Sequence, residues 1–246
     1  MVSPSIGSDS TVLGLDTATA DVTVAVARGG EVLGERSLPG EPGARPRHAA
    51  ELLGEVERAA SEVGGWERID AIAVGIGPGS FTGLRVGIAT ARGLAQGLGK
   101  GLVGVGSLDA LARGIGEHPG GRGRPCLAVI DARRGQVFAA LHDARGERQW
   151  GPVVAAPAEL GDRVPSTAAT PLAAGDGAVR FRRDLEHAGA EVLLEDQPAH
   201  HLSARHVCAL ADGVKVSAPH EIEPIYLRPP DAEIWRERDR SKSQRR

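Results

Sequence analysis

In the first part of the chain, the spacing of the apolar residues is first typical of β-strands and then typical of an α-helix. Residues 11–18 (TVLGLDTA) and 21–28 (DVTVAVAR) are rich in β-branched residues and are joined by a tight turn, and 30–38 (GEVLGERSL) follows the hairpin signal Gly29-Gly30. From 47 to 63 the apolar residues instead recur at helical spacing. We therefore predict three consecutive strands followed by a helix.

Strands and helices then alternate along the chain. The apolar run 69–77 (IDAIAVGIG) predicts a buried strand, 82–98 a helix and 101–105 (GLVGV) a short strand, and Ser107 is a candidate N-cap for the helix SLDALARGI. Three strands followed by this alternation predict an α/β fold, in which a mixed sheet carries helices on both faces.

The same plan begins again after the linker 116–125, which is rich in Gly, Pro and Arg. The strand CLAVIDAR ends in an aspartate, as VLGLDTA does, and GQVFAALHD and WGPVVAA supply two further strands. The chain therefore divides into two lobes of related plan. The predicted segments are a flexible N-terminus at 1–10, an N-terminal lobe at 11–116, a C-terminal lobe at 117–228 with a helix at 202–214 placed to pack back on the first lobe, and a charged, disordered tail at 229–246.

Composition and charge exclude some classes of function. A formal net charge of −3 and 3% aromatic residues argue against a protein that grips nucleic acid by itself, through counterion release or base stacking. The chain has two cysteines, and it shows neither a secretory apolar region nor an 18-residue apolar span. We therefore expect a cytoplasmic protein that does not contact a membrane.

The glycine-rich turn at 75–83 (GIGPGSFTG) resembles phosphate-binding loops only superficially. No Lys-Ser or Lys-Thr pair opens the helix, as a P-loop requires, and Ser80 stands where the dinucleotide fingerprint needs its third glycine. Ser80 or Thr82 either caps the helix or touches a bound anion. Capping is the favoured interpretation, because helices need N-caps whether or not a ligand binds.

The helix that follows this turn has an unusual composition. Between residues 80 and 99 its only charged side chains are those of Arg85 and Arg92, so it lacks the charged outer face of an ordinary surface helix. Gly83, Gly87 and Ala91 form a stripe of small residues at a spacing of four. Each internal glycine costs about 1 kcal/mol against alanine, which requires a packing reason. We interpret the stripe as a contact with a partner helix; the alternative is a helix buried within its own domain.

Hydrolytic and metal chemistry have little support. Ser80 is not in a G-x-S-x-G elbow, and the eight histidines show neither H-E-x-x-H nor H-x-x-x-H. The sequence predicts no metal site. The histidines at 200, 201 and 206 are interpreted as part of a solvated loop that enters a helix, and Cys126 and Cys208 as core residues.

Two acidic residues stand out because each ends a strand. Asp16 and Asp131 occupy corresponding positions in the two lobes. Either carboxylate could meet a ligand between the lobes, or it could accept backbone N–H bonds in its own turn.

Several motifs together resemble one protein family. The segments LGLDTATADVTVAV, AIAVGIGPGSFTGLRVGIATARGLA and GVGSLDALA are similar to those of the TsaB (YeaZ) family, bacterial tRNA threonylcarbamoyladenosine biosynthesis proteins of glycoprotease-like type. AVIDARRGQVFAAL and EPIYLRPPDA resemble the second lobe and C-terminal stretch of that family. The resemblance covers about residues 11–232, and the run GPGSFTGLRVG is its most specific part, whereas 150–200 contributes little.

The resemblance implies a two-lobed fold of the actin, sugar-kinase and heat-shock-chaperone (ASKHA) type. It also implies a non-catalytic companion of TsaD, the subunit that transfers threonylcarbamoyl to an adenosine next to the tRNA anticodon, with the ATPase TsaE completing the complex. On this basis tRNA is reached only through the complex, no cofactor is required, and a homodimer through the same helices is the alternative assembly without TsaD. The implied interface residues are His48, Glu51, Leu52, Glu55, Gly83, Arg85, Val86, Gly87, Thr90 and Arg92.

The sequence departs from active ATPases of that fold in the turn after the first aspartate. Such enzymes need glycine there so that the backbone can approach phosphate, whereas this chain has Asp16-Thr17-Ala18-Thr19. The second turn, Asp131 to Gly135, is altered as well, which favours a scaffold. The alternative function is a weak nucleotide-binding ATPase or glycoprotease-type hydrolase that uses Asp16, Thr17 and Asp131 in the cleft between the lobes, with residual ATP or ADP binding.

Overall fold

The fold is seen in a computed structural model that describes residues 5–40, 48–164 and 169–228. The start of the predicted helix at residue 47 and the predicted charged tail at 229–246 lie outside the described residues. The predicted loose N-terminus does not extend to Ile6, which is buried and exchanges backbone hydrogen bonds with residues 213 and 214.

The first sheet has the mixed architecture that the strand order predicts. Its strands lie in the order β3-β2-β1-β4-β5; β1, β2 and β3 are antiparallel, whereas β1, β4 and β5 are parallel. The strands are β1 (Thr11–Asp16), β2 (Val22–Arg28), β3 (Glu31–Leu38), β4 (Ala71–Gly75) and β5 (Gly101–Val105), and the helices between them are α1 (His48–Glu62), α2 (Phe81–Leu98) and α3 (Ser107–Glu117).

The second sheet repeats the plan of the first. Its order is β10-β9-β6-β7-β8, with an antiparallel β6-β7-β8 meander and parallel pairing of β6 with β9 and of β9 with β10. The strands are β6 (Cys126–Arg133), β7 (Gln136–His142), β8 (Arg148–Ala155), β9 (Leu172–Ala174) and β10 (Glu191–Val192); the helices are α4 (Asp176–Arg180), α5 (Arg182–His187) and α6 (Ala204–Ala211). The prediction of two related units, each with a mixed sheet flanked by helices, is confirmed.

Two helices join the sheets into one core. Helix α3 packs on β6 and β7 of the second sheet, and α6 packs on β1 and β2 of the first. At the α6 contact, a Cβ on Gly14 would lie 2.6 Å from Cys208 Sγ, so only glycine admits the helix so closely. Cys126 and Cys208 are both buried, which confirms the prediction that they are core residues.

Two local predictions are wrong. The N-cap of α3 is Gly106, and Ser107 lies inside the helix, fully buried, because its hydroxyl serves distant groups instead: it accepts from Gly77 N at 3.1 Å and donates to Asp16. His200 is buried rather than in a solvated loop, because its ring bonds the backbone of Gly175 and Leu194.

Candidate functional site

The glycine-rich turn between β4 and α2 is filled by the chain itself. Ser80 is the N-cap of α2, and its hydroxyl accepts from Gly83 N at 3.3 Å, which confirms the capping interpretation. Ser80 N donates to Ala18 O at 2.7 Å, and a Cβ on Gly79 would lie 2.3 Å from the same oxygen. The turn after β1 therefore takes up the backbone N–H of Ser80, one of the donors at the helix start that a phosphate would need.

Asp16 is enclosed at the end of β1. One carboxylate oxygen accepts from Ala18 N at 2.7 Å and the other from the Ser107 hydroxyl at 2.7 Å, and the residue is 1% exposed. Burial raises the pKa of Asp16 to about 6, against the opposing effect of these hydrogen bonds. Gly75 explains the tight fit, because a Cβ there would lie 1.9 Å from Asp16 Oδ2. Both carboxylate oxygens of Asp16 are therefore occupied by hydrogen bonds within the chain.

Asp131 is different, because it faces the cleft between the lobes. This cleft has a volume of about 350 Å³ and is lined by residues of the two turns, the start of α2 and the segment 225–228. Asp131 accepts from Arg133 N at 2.8 Å and pairs with Arg180 at 2.9 Å. Beside it lies Asp176, whose pKa is raised by burial.

The structure does not bring the three predicted nucleotide-site residues together. Asp131 lines the cleft, but Asp16 and Thr17 are buried in the first lobe outside its lining. The Thr17 hydroxyl donates to Gly83 O at 2.8 Å, so it belongs to the contact between β1 and α2.

The small-residue stripe of α2 faces its own lobe, and the interpretation of Gly83, Gly87 and Ala91 as a partner contact is wrong for this conformation. All three residues are buried. A Cβ on Gly83 would lie 2.0 Å from Thr17 O, and one on Gly87 would lie 2.3 Å from Thr17 Oγ1. The glycines therefore allow the end of β1 to pack directly against the helix.

Three of the implied interface residues on α1 are also buried within the chain. His48 and Leu52 are each 1% exposed, and the His48 ring lies beside Gly83. The Glu55 carboxylate is bound by Arg36 of β3 at 2.6 Å and by Arg58. Hydrogen bonds from Arg36 and Arg58 hold the pKa of Glu55 below its ordinary value despite burial. These side chains stabilise the lobe and are not available to a partner.

The two arginines of α2 are engaged by the C-terminal segment. Arg92 donates to the carbonyls of His220 and Ile222. Arg85 lies over the Phe81 ring at 3.9 Å and donates to Tyr226 Oη at 3.2 Å. Arg92 is thus an internal clamp, whereas Arg85 is exposed at the edge of the cleft.

A different face of the helices is open to solvent. We call it the outer face of α1 and α2; its exposed or half-buried members are Ala50, Leu53, Val86, Ala89, Thr90 and Gly93. Leu53 is 57% exposed, and a Cβ on Gly93 would meet no atom within 4 Å. Of the implied interface set, Val86 and Thr90 belong to this face, and exposed Arg85 lies one turn before Ala89 on the same row of the helix. The missed members had a signal, namely a second row of small residues at a spacing of four, Ala89, Gly93 and Gly97, which follows Arg85.

Among the described residues, no group of three or more histidine, cysteine, aspartate or glutamate side chains is arranged to hold a metal ion. Likewise, the described helices include none with the length and apolar character to cross a membrane.

Comparisons with known proteins agree with this architecture. The TsaD family, described as tRNA N6-adenosine threonylcarbamoyltransferase, matches residues 42–195. An uncharacterized protein of Mycobacterium tuberculosis H37Rv is 36% identical over 91% of this chain and 94% of its own length. The tRNA threonylcarbamoyladenosine biosynthesis protein TsaB of Escherichia coli K12 is 32% identical over 88% of this chain and 94% of its own.

A solved structure confirms the fold class. YeaZ from Pseudomonas aeruginosa superposes with a TM-score of 0.72 at 28% identity, covering 89% of this chain and 100% of that one. The predicted two-lobed α/β fold, with a mixed sheet and flanking helices in each lobe, is therefore confirmed.

Proposed function

We infer that this chain, which belongs to the TsaB (YeaZ) family of tRNA threonylcarbamoyladenosine biosynthesis proteins, is a non-catalytic subunit that supports TsaD in forming the threonylcarbamoyl group on adenosine next to the tRNA anticodon, together with TsaE. It reaches tRNA through that complex and requires no cofactor of its own.

The enclosure of Asp16 is the observation that carries the non-catalytic role. A carboxylate that positions a nucleotide or activates water must present an oxygen to a ligand. Here one oxygen is held by Ala18 N and the other by the Ser107 hydroxyl, and the residue is closed to the cleft. The Ala18 side chain, packed beside Gly79, also occupies the turn where an ATPase needs glycine. Asp16, the carboxylate that the first lobe would contribute, is therefore not available to a ligand in the cleft.

Reconstitution tests this proposal. Purified TsaD, TsaE, tRNA and threonylcarbamoyl-adenylate should form modified tRNA only when this chain is added, and Asp16→Asn should support the same rate as the wild type. The chain alone should neither hydrolyse ATP nor cleave protein above background. Modified tRNA formed equally well without the chain would contradict the support role, and ATP turnover that disappears in Asp16→Asn would contradict the non-catalytic role.

We further propose that TsaD docks on the outer face of α1 and α2. Uncharged small residues such as Ala89 and Gly93 let another helix approach closely, and Leu53 of the neighbouring helix α1 supplies an exposed apolar side chain. In the absence of TsaD, the same face would join two copies of this chain, because the chain matches the TsaD family model over residues 42–195, which include α1 and α2, so that a second copy presents a helix pair of the same kind.

Ala89→Arg should weaken TsaD association at least about tenfold, because a long charged side chain in a close-packed helix contact is both too large and unpaired. The matched control is Ala158→Arg, which makes the same change at an exposed position of the second lobe. Titration of TsaD, with the mass in solution measured alongside, should show a loss only for Ala89→Arg. Equal affinities of the two variants would place TsaD elsewhere on the chain.

A further inference from the structure

A groove of about 910 Å³ shares no lining residue with the cleft or with the outer face of α1 and α2. It runs between β3, the C-terminal end of α3 and the segment that leads into α6. We call it the proline-lined groove, because its walls are largely apolar and include Pro39, Pro119, Pro198, Ala199 and Leu202. Apolar concavities of this size are typical of binding sites.

The groove carries two unpaired positive charges. Arg122 and Arg205 line it, both are exposed, and neither has a carboxylate within 4 Å in the described part of the chain. Its acidic residues are engaged, since Glu117 pairs with Arg113 at 3.2 Å and Glu35 accepts a hydrogen bond from the segment before α6. Guanidinium groups bind carboxylates with charge-assisted hydrogen bonds. The groove is therefore suited to an apolar group that stands beside carboxylates.

Two histidines of the groove add no unbalanced charge. Burial, with the charges of Arg205 and Arg113, lowers the pKa of His206 to about 4, so its ring is neutral at physiological pH. The hydrogen bond to Asp21 raises the pKa of His201, and the charge of that ring is balanced by the same carboxylate at 2.8 Å. The attraction for an acid therefore comes from the two arginines.

A turn of matching chemistry is held rigidly by the second lobe. We call residues 194–197 (Leu-Glu-Asp-Gln) the acidic turn; Gln197 N donates to Leu194 O at 3.1 Å and closes it. The buried His200 ring donates to the same oxygen at 2.9 Å. Leu194 is 69% exposed, the highest value of any large apolar residue that the structure describes, and Glu195 and Asp196 are exposed as well. A fixed backbone thus presents one apolar side chain and two carboxylates to solvent.

The acidic turn stands at the rim of the groove. The His118 ring, in the groove wall, donates to Gln197 Oε1 at 3.1 Å, and Pro198 continues from the turn into the wall. Within one chain the carboxylates of the turn make no ion pair with the groove arginines among the described residues, and Leu194 does not line the groove. A two-fold axis beside the rim would instead bring the turn of each copy over the groove of the other, because it exchanges two adjoining features.

We propose that two copies of this chain join with the acidic turn of each seated in the proline-lined groove of the other. Glu195 and Asp196 bind Arg122 and Arg205 of the other copy, and Leu194 packs on its prolines. The contact is isologous, so every pair forms twice. It uses a surface separate from the outer face of α1 and α2 and does not rest on the role proposed with TsaD.

Self-association of the Ala89→Arg chain provides the first test, because this substitution removes contacts through the outer face of α1 and α2. Analytical ultracentrifugation should show a dimer that grows with concentration and weakens as salt is added, since exposed charge pairs are screened. A chain that stays monomeric at every concentration up to about 1 mM would overturn the proposal.

A charge swap provides the second test, in the same background. Glu195→Arg/Asp196→Arg and Arg122→Glu/Arg205→Glu should each weaken self-association at least about tenfold, because like charges then face each other at both turns. An equal mixture of the two variants should dimerise again, since each turn then meets a groove of opposite charge. A mixture that stays monomeric would contradict the docking of the turn in the groove.

The matched control is Asp162→Arg/Asp184→Arg, which makes the same change of charge at exposed positions elsewhere in the second lobe. It should associate as the Ala89→Arg parent does. A loss as large as that of Glu195→Arg/Asp196→Arg would show that net charge, rather than the acidic turn, controls association, and would overturn the proposal.

Discussion

Gly87→Leu is expected to lower the free energy of unfolding by about 3 kcal/mol, the upper end of the usual cost of overpacking. The first atom of the new side chain alone would lie 2.3 Å from Thr17 Oγ1, whose hydroxyl also holds Gly83 O of the same helix. The helix must therefore move away from the end of β1, and the hydrogen bond from Thr17 is lost. Chemical denaturation of the isolated chain measures this effect.

Gly93→Leu is the matched control for that experiment. It makes the same change on the same helix, but a Cβ at position 93 meets no atom within 4 Å. We expect its stability to equal or exceed that of the wild type, by up to about 1 kcal/mol, because leucine is a better helix former than glycine. If Gly87→Leu kept wild-type stability and lost only association, the small-residue stripe would face a partner after all.

Asp16→Asn is expected to remove a pH dependence of about 3 kcal/mol from the free energy of unfolding. The folded pKa of about 6 exceeds the ordinary 3.8 by 2.2, and each unit corresponds to about 1.4 kcal/mol. Because the raised pKa means that the folded chain binds the proton more tightly, the wild type has this stability below about pH 4 and loses it as the pH rises to about 6. The asparagine variant should lack this fall and be more stable above pH 6.

Ser107→Ala sharpens the test, since it removes a hydrogen bond that favours the charged form of Asp16. The fall in stability should then move to higher pH. The free energy of unfolding of the three chains is measured by denaturation between pH 4 and 8. If it changed equally with pH in the wild type and in Asp16→Asn, Asp16 would not be the responsible group.

Local sequence patterns were sufficient for the order and type of the main elements. The β-branched runs before residue 38 became β1, β2 and β3, and the helical period before residue 63 became α1. Ser80 was identifiable as a cap because capping is a contact over three residues. Asp16 and Asp131 each end a strand and are each followed by further strands, and this repeat indicated two related lobes. The repeat could be recognised because strands have a local sequence pattern.

Contacts between distant residues decided what the candidate site is. A stripe of glycines has the same spacing whether it faces a partner or its own lobe, and only the position of Thr17 beside Gly83 and Gly87 distinguishes the two. Asp16 could not be recognised as enclosed, because its hydroxyl donor, Ser107, is 91 residues away along the chain. From the sequence, Glu55 likewise resembles a surface residue of a helix. Its pairing with Arg36 of β3 is visible only in the tertiary structure.

The sequence by itself thus determined the family and the order of the elements from β1 to β8, because periodicity, caps and motifs are short-range features of the chain, whereas β9, β10, α4 and α5 were not predicted. The tertiary structure alone decided which face of α2 is covered and that Asp16 is separated from the cleft where Asp131 lies. The physical reason is that burial and hydrogen bonding at these positions depend on groups that the chain brings together only when both sheets have formed.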